Sequence, residues 1–209
     1  MHAGFPCFTH NLQHVLKLGS NEANSSKMLE AAGGTLLATG MAVLLKLGFG
    51  FVMRDSVLNE KQAVQAKEFF KNNFELIEPE SNKVDHYQGK FLIRTSKADD
   101  QMNVYLQFCP DPENLYVDTP LGRCFNSLAV IKTDVLSEEE ADKLETDPNQ
   151  VDLVIRFRDI NSILNLIGKE DIDIVGLLLE NVVQLRGNVG HLFKLGNIAT
   201  DIELLLENA

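Results

Sequence analysis

The sequence predicts an α+β fold, in which helices pack on an antiparallel sheet, and three observations carry that expectation. Apolar residues alternate at period two in residues 91–94, 104–108 and 151–157, as strands with one buried face require. They recur at helical spacing in 59–74 and 160–167. Turn-forming clusters, Glu78-Pro79-Glu80-Ser81-Asn82 and Pro110-Asp111-Pro112, punctuate the chain between these runs.

Taken in order, residues 31–53 form an apolar stretch with a single charge, Lys46, long enough to cross a bilayer. Five glycines dilute it, and Gly48-Phe49-Gly50 would end a helix early. The favoured expectation is a buried or partner-facing helix, with a helix in transient membrane-surface contact and a true span as the minor alternatives. Residues 59–74 read as a helix, with Ala63, Ala66, Phe70 and Phe74 on its buried stripe. Strands follow at Phe91–Arg94 and Val104–Phe108, joined by a short polar connection, and residues 115–117 read as a third strand of the same meander. Residues 127–132 are a further strand candidate. Ser137 with Glu140 forms a capping box that opens an acidic helix lasting to Asp147-Pro148, and its charge run reads as a solvated insertion spanning about residues 134–150.

The clearest strand is 151–157, where Val151, Leu153, Ile155 and Phe157 alternate with Asp152, Val154 and Arg156. Asp159 then caps a helix carrying Ile160, Ile163, Leu164 and Ile167, which Gly168 stops. A second apolar helix at 172–179, a short strand at 182–186 and a helix opened by Gly187-Asn188 complete the pattern. Ile202, Leu204, Leu205 and Leu206 beyond it read as a lid or a partner-facing segment.

Composition bounds the function. The 209 residues are 44% hydrophobic and 23% charged, ordinary for a globular chain with a substantial core. Thirty acidic against nineteen basic residues give a net charge of −11 and no basic patch, so nucleic acid is not an expected partner. Cys7, Cys109 and Cys124 are odd in number and form no CxxC pair, which fits a reducing cytoplasm rather than a disulfide framework or zinc ribbon. The first residues do not show the basic and apolar regions of a secretory signal. Gly48-x-Gly50 lacks the third glycine and preceding strand of a phosphate cradle, and no Gly-x-Ser-x-Gly elbow occurs. An enzyme is not expected. His2, Cys7, His10 and His14 form the one cluster that would suit a metal, and a terminal segment explains them equally well.

The run VDLVIRFRDINSILNLIGK at 151–169, followed by VQLRGNVGHLFKLGN at 183–197, resembles the sterol carrier protein 2 (SCP2) family of lipid-binding domains. In that pattern a strand with an acidic end enters a helix closed by Gly-Lys. A helix, a short strand and a Gly-Asn-x-Gly segment then lead into a helix with Lys-Leu-x-Asn. The likeness is specific over 151–198 and loose over 59–117, and residues 1–55 have no counterpart. The acidic insertion and a slightly long connection between Gly168 and Gly187 depart from the pattern.

The resemblance implies an SCP2-like domain over residues 56–209, with 1–55 as an amino-terminal helical extension. It implies a five-stranded, mainly antiparallel sheet covered by helices on one face, and an apolar tunnel between them for acyl chains or polycyclic lipids. It implies neither cofactor nor catalytic residue. An apolar lining gains about 25 cal/mol for each Å² of ligand surface it removes from water. The candidate lining is Leu106 and Phe108 from the sheet with Ile163, Leu164, Ile167, Leu178, Leu192, Phe193, Leu195 and Ile198 from the helices. Each of these residues serves equally as plain core. The alternative function is an interaction module whose tunnel is filled by the chain's own helix or that forms a homodimer through residues 31–53, and a less expected one is an enzyme or metal protein built on His2, Cys7, His10 and His14.

Overall fold

The alternation in the strands is real, and both faces of the sheet it builds are covered. The computed structural model describes residues 36–40, 42–43, 60–81, 83–97, 101–119, 122–126, 129–165 and 173–207. Helix α1 (Glu60–Phe74) leads into a small hairpin, β1 (Glu75–Ile77) and β2 (Val84–His86), which flanks the expected turn. The main sheet comprises β3 (Lys90–Thr95), β4 (Asn103–Phe108), β7 (Ile131–Val135), β8 (Leu153–Phe157) and β9 (Val183–Gly187), in the order β7-β4-β3-β8-β9. Strands β3 and β8 at its centre are parallel, and the three other pairings are antiparallel. The sheet is therefore five-stranded and mainly antiparallel, as expected.

Two strand expectations are corrected. The segment after Leu115 does not join the meander: β5 (Tyr116–Thr119) pairs with β6 (Gly122–Phe125) in a separate two-stranded ribbon. The partner of β4 is β7, which begins at Ile131, so the candidate strand at 127–132 lies too early. Ala129 N donates to Asn126 O at 2.9 Å, and this turn delays entry into the strand.

One sheet face presents Phe91, Ile93, Val104, Leu106, Phe108, Ile131, Leu153, Ile155 and Val183 to the helical layer. That layer comprises α1, α3 (Ile160–Leu164), α4 (Ile174–Leu179) and α5 (Gly190–Glu207). Phe69, Phe70 and Phe74 of α1 join the core, and α1 packs along α5. The ring of Phe74 lies 5.3 Å from that of Phe108, and Phe91 meets Phe108 edge-on at 5.9 Å. Asp159 caps α3 as expected, accepting from Ser162 N at 2.7 Å. Helix α5 runs to Glu207, so residues 202–206 continue that helix.

The opposite face carries Leu92, Tyr105 and Val154, and helix α2 (Glu138–Thr146) covers it through Ala141 and Leu144. The Ser137 capping box is present, with Ser137 N donating to Glu140 Oε2 at 2.9 Å. The acidic helix is thus more than a solvated insertion. Arg94, fully buried, donates from Nη1 to Asp142 at 2.9 Å and Glu145 at 2.7 Å, and from Nη2 to Glu138. Glu145 also pairs with Arg156 of β8 and approaches Arg186 of β9 at 3.7 Å.

Of the apolar stretch 31–53, residues 36–40 and 42–43 are described, and they are helical. Leu37, Ala38 and Ala42 sit in the same core as Leu106 and Phe108, and Thr133 Oγ1 donates to Ala42 O at 3.1 Å. Leu36 and Val43 on the other side are exposed. Among the described residues no helix is long and apolar enough to cross a membrane.

Candidate functional site

Eight of the ten candidate lining residues fall into three groups. Leu106, Phe108, Ile163 and Ile198 are buried in the core between sheet and helices. Leu192 and Leu195 of α5 are half-buried against that core. Leu178 and Phe193 are exposed, Phe193 at 69%. Of the remaining two, Leu164 lies in α3 with its side chain outside the described set, and Ile167 lies outside the described residues altogether. His2, Cys7, His10 and His14 also lie outside them. Among the described residues no group of three His, Cys, Asp or Glu side chains could hold a metal.

The apolar face of α5 brings with it polar groups that sequence reasoning missed. Its helix begins after Gly187, whose φ of +116° is a left-handed conformation that L residues rarely adopt. A Cβ there would collide with the carbonyl oxygen of Asp152. Asn188 N donates to that same oxygen at 2.9 Å, while Asp152 Oδ2 accepts from Lys90 N at 2.8 Å. Asp152 thereby ties the starts of β3 and β8 to the end of β9.

This turn sets His191 and Lys194, three residues apart on α5, beside Tyr87 of the β2–β3 connection. The Tyr87 hydroxyl lies 2.6 Å from His191 Nδ1, and the two rings stack with centroids 5.6 Å apart. His191 also meets Phe91 edge-on at 6.1 Å. Burial, reinforced by the negative charge of Asp152, pushes the Tyr87 phenol well above its usual range. The phenol therefore keeps its proton, and we assign it as the donor to Nδ1, which leaves Nε2 as the ring nitrogen that carries the N–H.

Lys194 Nζ lies 5.9 Å from the centroid of the Tyr87 ring and donates to Asn73 Oδ1 at 3.5 Å, the edge of hydrogen-bonding range. Asn73 in turn donates to Asp201 Oδ2 at 2.7 Å, so a neutral amide stands between the ammonium and the nearest acid. Burial lowers the Lys194 pKa, and the charge of Asp201 offsets this in part. The result is a half-buried cation and an imidazole above an aromatic floor of Phe91 and Phe108. A histidine and a lysine at helical spacing were visible in the sequence, but nothing marked Tyr87 as their neighbour.

Two further groups, one buried and one half-buried, lie outside this cluster. Burial pushes the Cys109 thiol up to about 12, which makes it a poor nucleophile. Tyr105 on the opposite face is also raised, first by burial and then by Asp152 and Asp134. No protein-family model matches the chain, and no curated protein and no solved structure is significantly similar to it.

Proposed function

We propose that the protein is a non-enzymatic carrier or binder of an apolar molecule, of the sterol carrier protein 2 type, acting in the cytoplasm. The observation that carries this reading is an excess of apolar side chains on the helical layer beyond those its core consumes. Val175, Leu178 and Leu179 of α4, with Val189 just before α5 and Phe193 in its first turn, are exposed, and Leu192 and Leu195 of α5 are only half-buried. Exposed apolar area of this kind marks a binding surface more often than a plain monomer face. The ligand classes that suit it are fatty acyl compounds, sterol-like molecules and isoprenoid quinone precursors. A buried lining with few polar groups asks for burial and orientation rather than chemistry.

A second reading has its own support. Leu37, Ala38 and Ala42 already occupy the core between sheet and helices, as they would in an interaction module filled by its own amino-terminal helix. In that case exposed Leu36 and Val43 would belong to a partner or a second copy.

Native mass spectrometry of the purified protein, with solvent extraction of what co-purifies, separates the two. Lipid at near-unit stoichiometry, displaced by a competing fatty acid and lost in Phe193→Glu, supports the carrier. Phe193 is exposed enough for that variant to fold. An empty protein that also takes up no fluorescent fatty acid overturns it in favour of the interaction module.

A further inference from the structure

Resting on the apolar-ligand reading, we infer that Tyr87, His191 and Lys194 form the head-group station of the site, and that its ligand is a long-chain carboxylate. An apolar surface holds a tail in many poses, and the few polar groups beside it decide which head is accepted. Here those groups are donors. With Tyr87 engaged at Nδ1, His191 has its Nε2 proton to give, and Lys194 has ammonium protons for which Asn73 Oδ1, at 3.5 Å, is a weak acceptor. Among the described residues Lys194 makes no ion pair with a carboxylate.

The acids nearby are otherwise occupied. Asp201 accepts from Asn73, and Asp152 accepts from the backbone of Lys90. A half-buried ammonium served only by an amide gains most from an acceptor that is itself charged, because charge-assisted hydrogen bonds are roughly twice as strong as neutral ones. A carboxylate supplies that acceptor and a second oxygen for His191. An alcohol supplies one weak acceptor, and a quaternary ammonium head would meet Lys194 as a like charge. The net charge of −11 sharpens the point, since an anion needs a local cation to approach this chain at all. The aromatic floor of Phe91 and Phe108 and the half-buried Leu192 and Leu195 lie next to this head-group position for the start of the tail.

The test is isothermal titration of the full chain with palmitate, 1-hexadecanol and hexadecyltrimethylammonium, three heads on one chain length. Palmitate is expected to bind at least about tenfold more tightly than hexadecanol, about 1.4 kcal/mol, with the ammonium weakest. Lys194→Met should bring palmitate down to the hexadecanol affinity and leave hexadecanol unchanged, and Tyr87→Phe should weaken palmitate selectively through His191. Equal binding of all three heads by the unmodified protein overturns the station and leaves the carrier reading standing. Binding of none overturns both, and the comparison on unmodified protein decides even if a variant fails to fold.

Discussion

Arg94 of β3 and Glu145 of α2 meet across the second face of the sheet, with Nη1 2.7 Å from Oε2 and the arginine side chain fully buried. Burial works against the charge of Arg94, but its hydrogen bonds to Asp142 and Glu145, with the added charge of Glu138, outweigh it and hold the pKa above the usual arginine value. Beside it, Arg94 Nε and Asn103 Oδ1 are buried without a hydrogen-bond partner among the described residues, and these two residues pair across β3 and β4.

Arg94→Met should therefore cost about 1.5–3 kcal/mol, because it removes the charge-assisted hydrogen bonds to Glu138, Asp142 and Glu145, although the first two are exposed to water and Glu145 keeps Arg156. Urea denaturation measures this. A cycle with Glu145→Gln should show a coupling of about 0.5–3 kcal/mol. A loss below about 1 kcal/mol would mean that α2 contributes little to holding the sheet.

Gly187→Ala should destabilise by about 1–3 kcal/mol from the left-handed backbone alone, with more from the collision at the Asp152 carbonyl. The damage is expected to be local to the β9–α5 turn. Amide exchange of Lys90, Asp152 and Asn188 would therefore rise more than that of β4.

Asp159→Ala should cost about 1 kcal/mol at neutral pH through loss of the α3 cap. The Ser162 hydroxyl and backbone N–H, both donating to Asp159, hold its carboxyl below the usual range. A depressed acid stabilises above its unfolded pKa of about 3.9 and loses that contribution as pH falls through the folded value. Thermal melts should show a flatter acid limb below about pH 4 in Asp159→Asn than in the unmodified protein. Identical limbs would refute the assignment.

Cys109 should resist alkylation. In a Cys7→Ser/Cys124→Ser protein, iodoacetamide at pH 8 should label it only through the opened state, at the free-thiol rate scaled down by that state's population. Its raised pKa also means that stability from this residue is complete below the unfolded thiol value of about 8.5 and declines as pH rises above it. Labelling at the rate of a free thiol would contradict its burial.

Much of this architecture was legible because its signals are local. Period-two runs located β3, β4 and β8, and short-range hydrogen-bonding chemistry located the caps at Ser137 and Asp159. What was not legible depends on residues far apart in the chain. Arg94 alternates with Ile93 as a solvent-facing residue would, and only carboxylates supplied from 44 to 51 positions later allow it to be buried. The choice of β7 over β5 as partner for β4 is likewise a matter of tertiary pairing that neither strand's own pattern specifies. At the candidate site, the apolar stripe of α5 was readable, but it could not say which of its leucines face core and which face outward. The Tyr87–His191 contact joins positions 104 apart.

The position of Glu145 has one more consequence. Its carboxylate reaches arginines on three different strands, β3, β8 and β9, two of which form the parallel central pair. Shifting β8 by one residue would turn Arg156 to the apolar face, and shifting it by two would carry it about 6.6 Å away. A single acid can serve Arg94 and Arg156 together only when the strands are in their native alignment. Helix α2 thus acts as a gauge for the central pairing, favouring one alignment among several that backbone hydrogen bonds alone would accept.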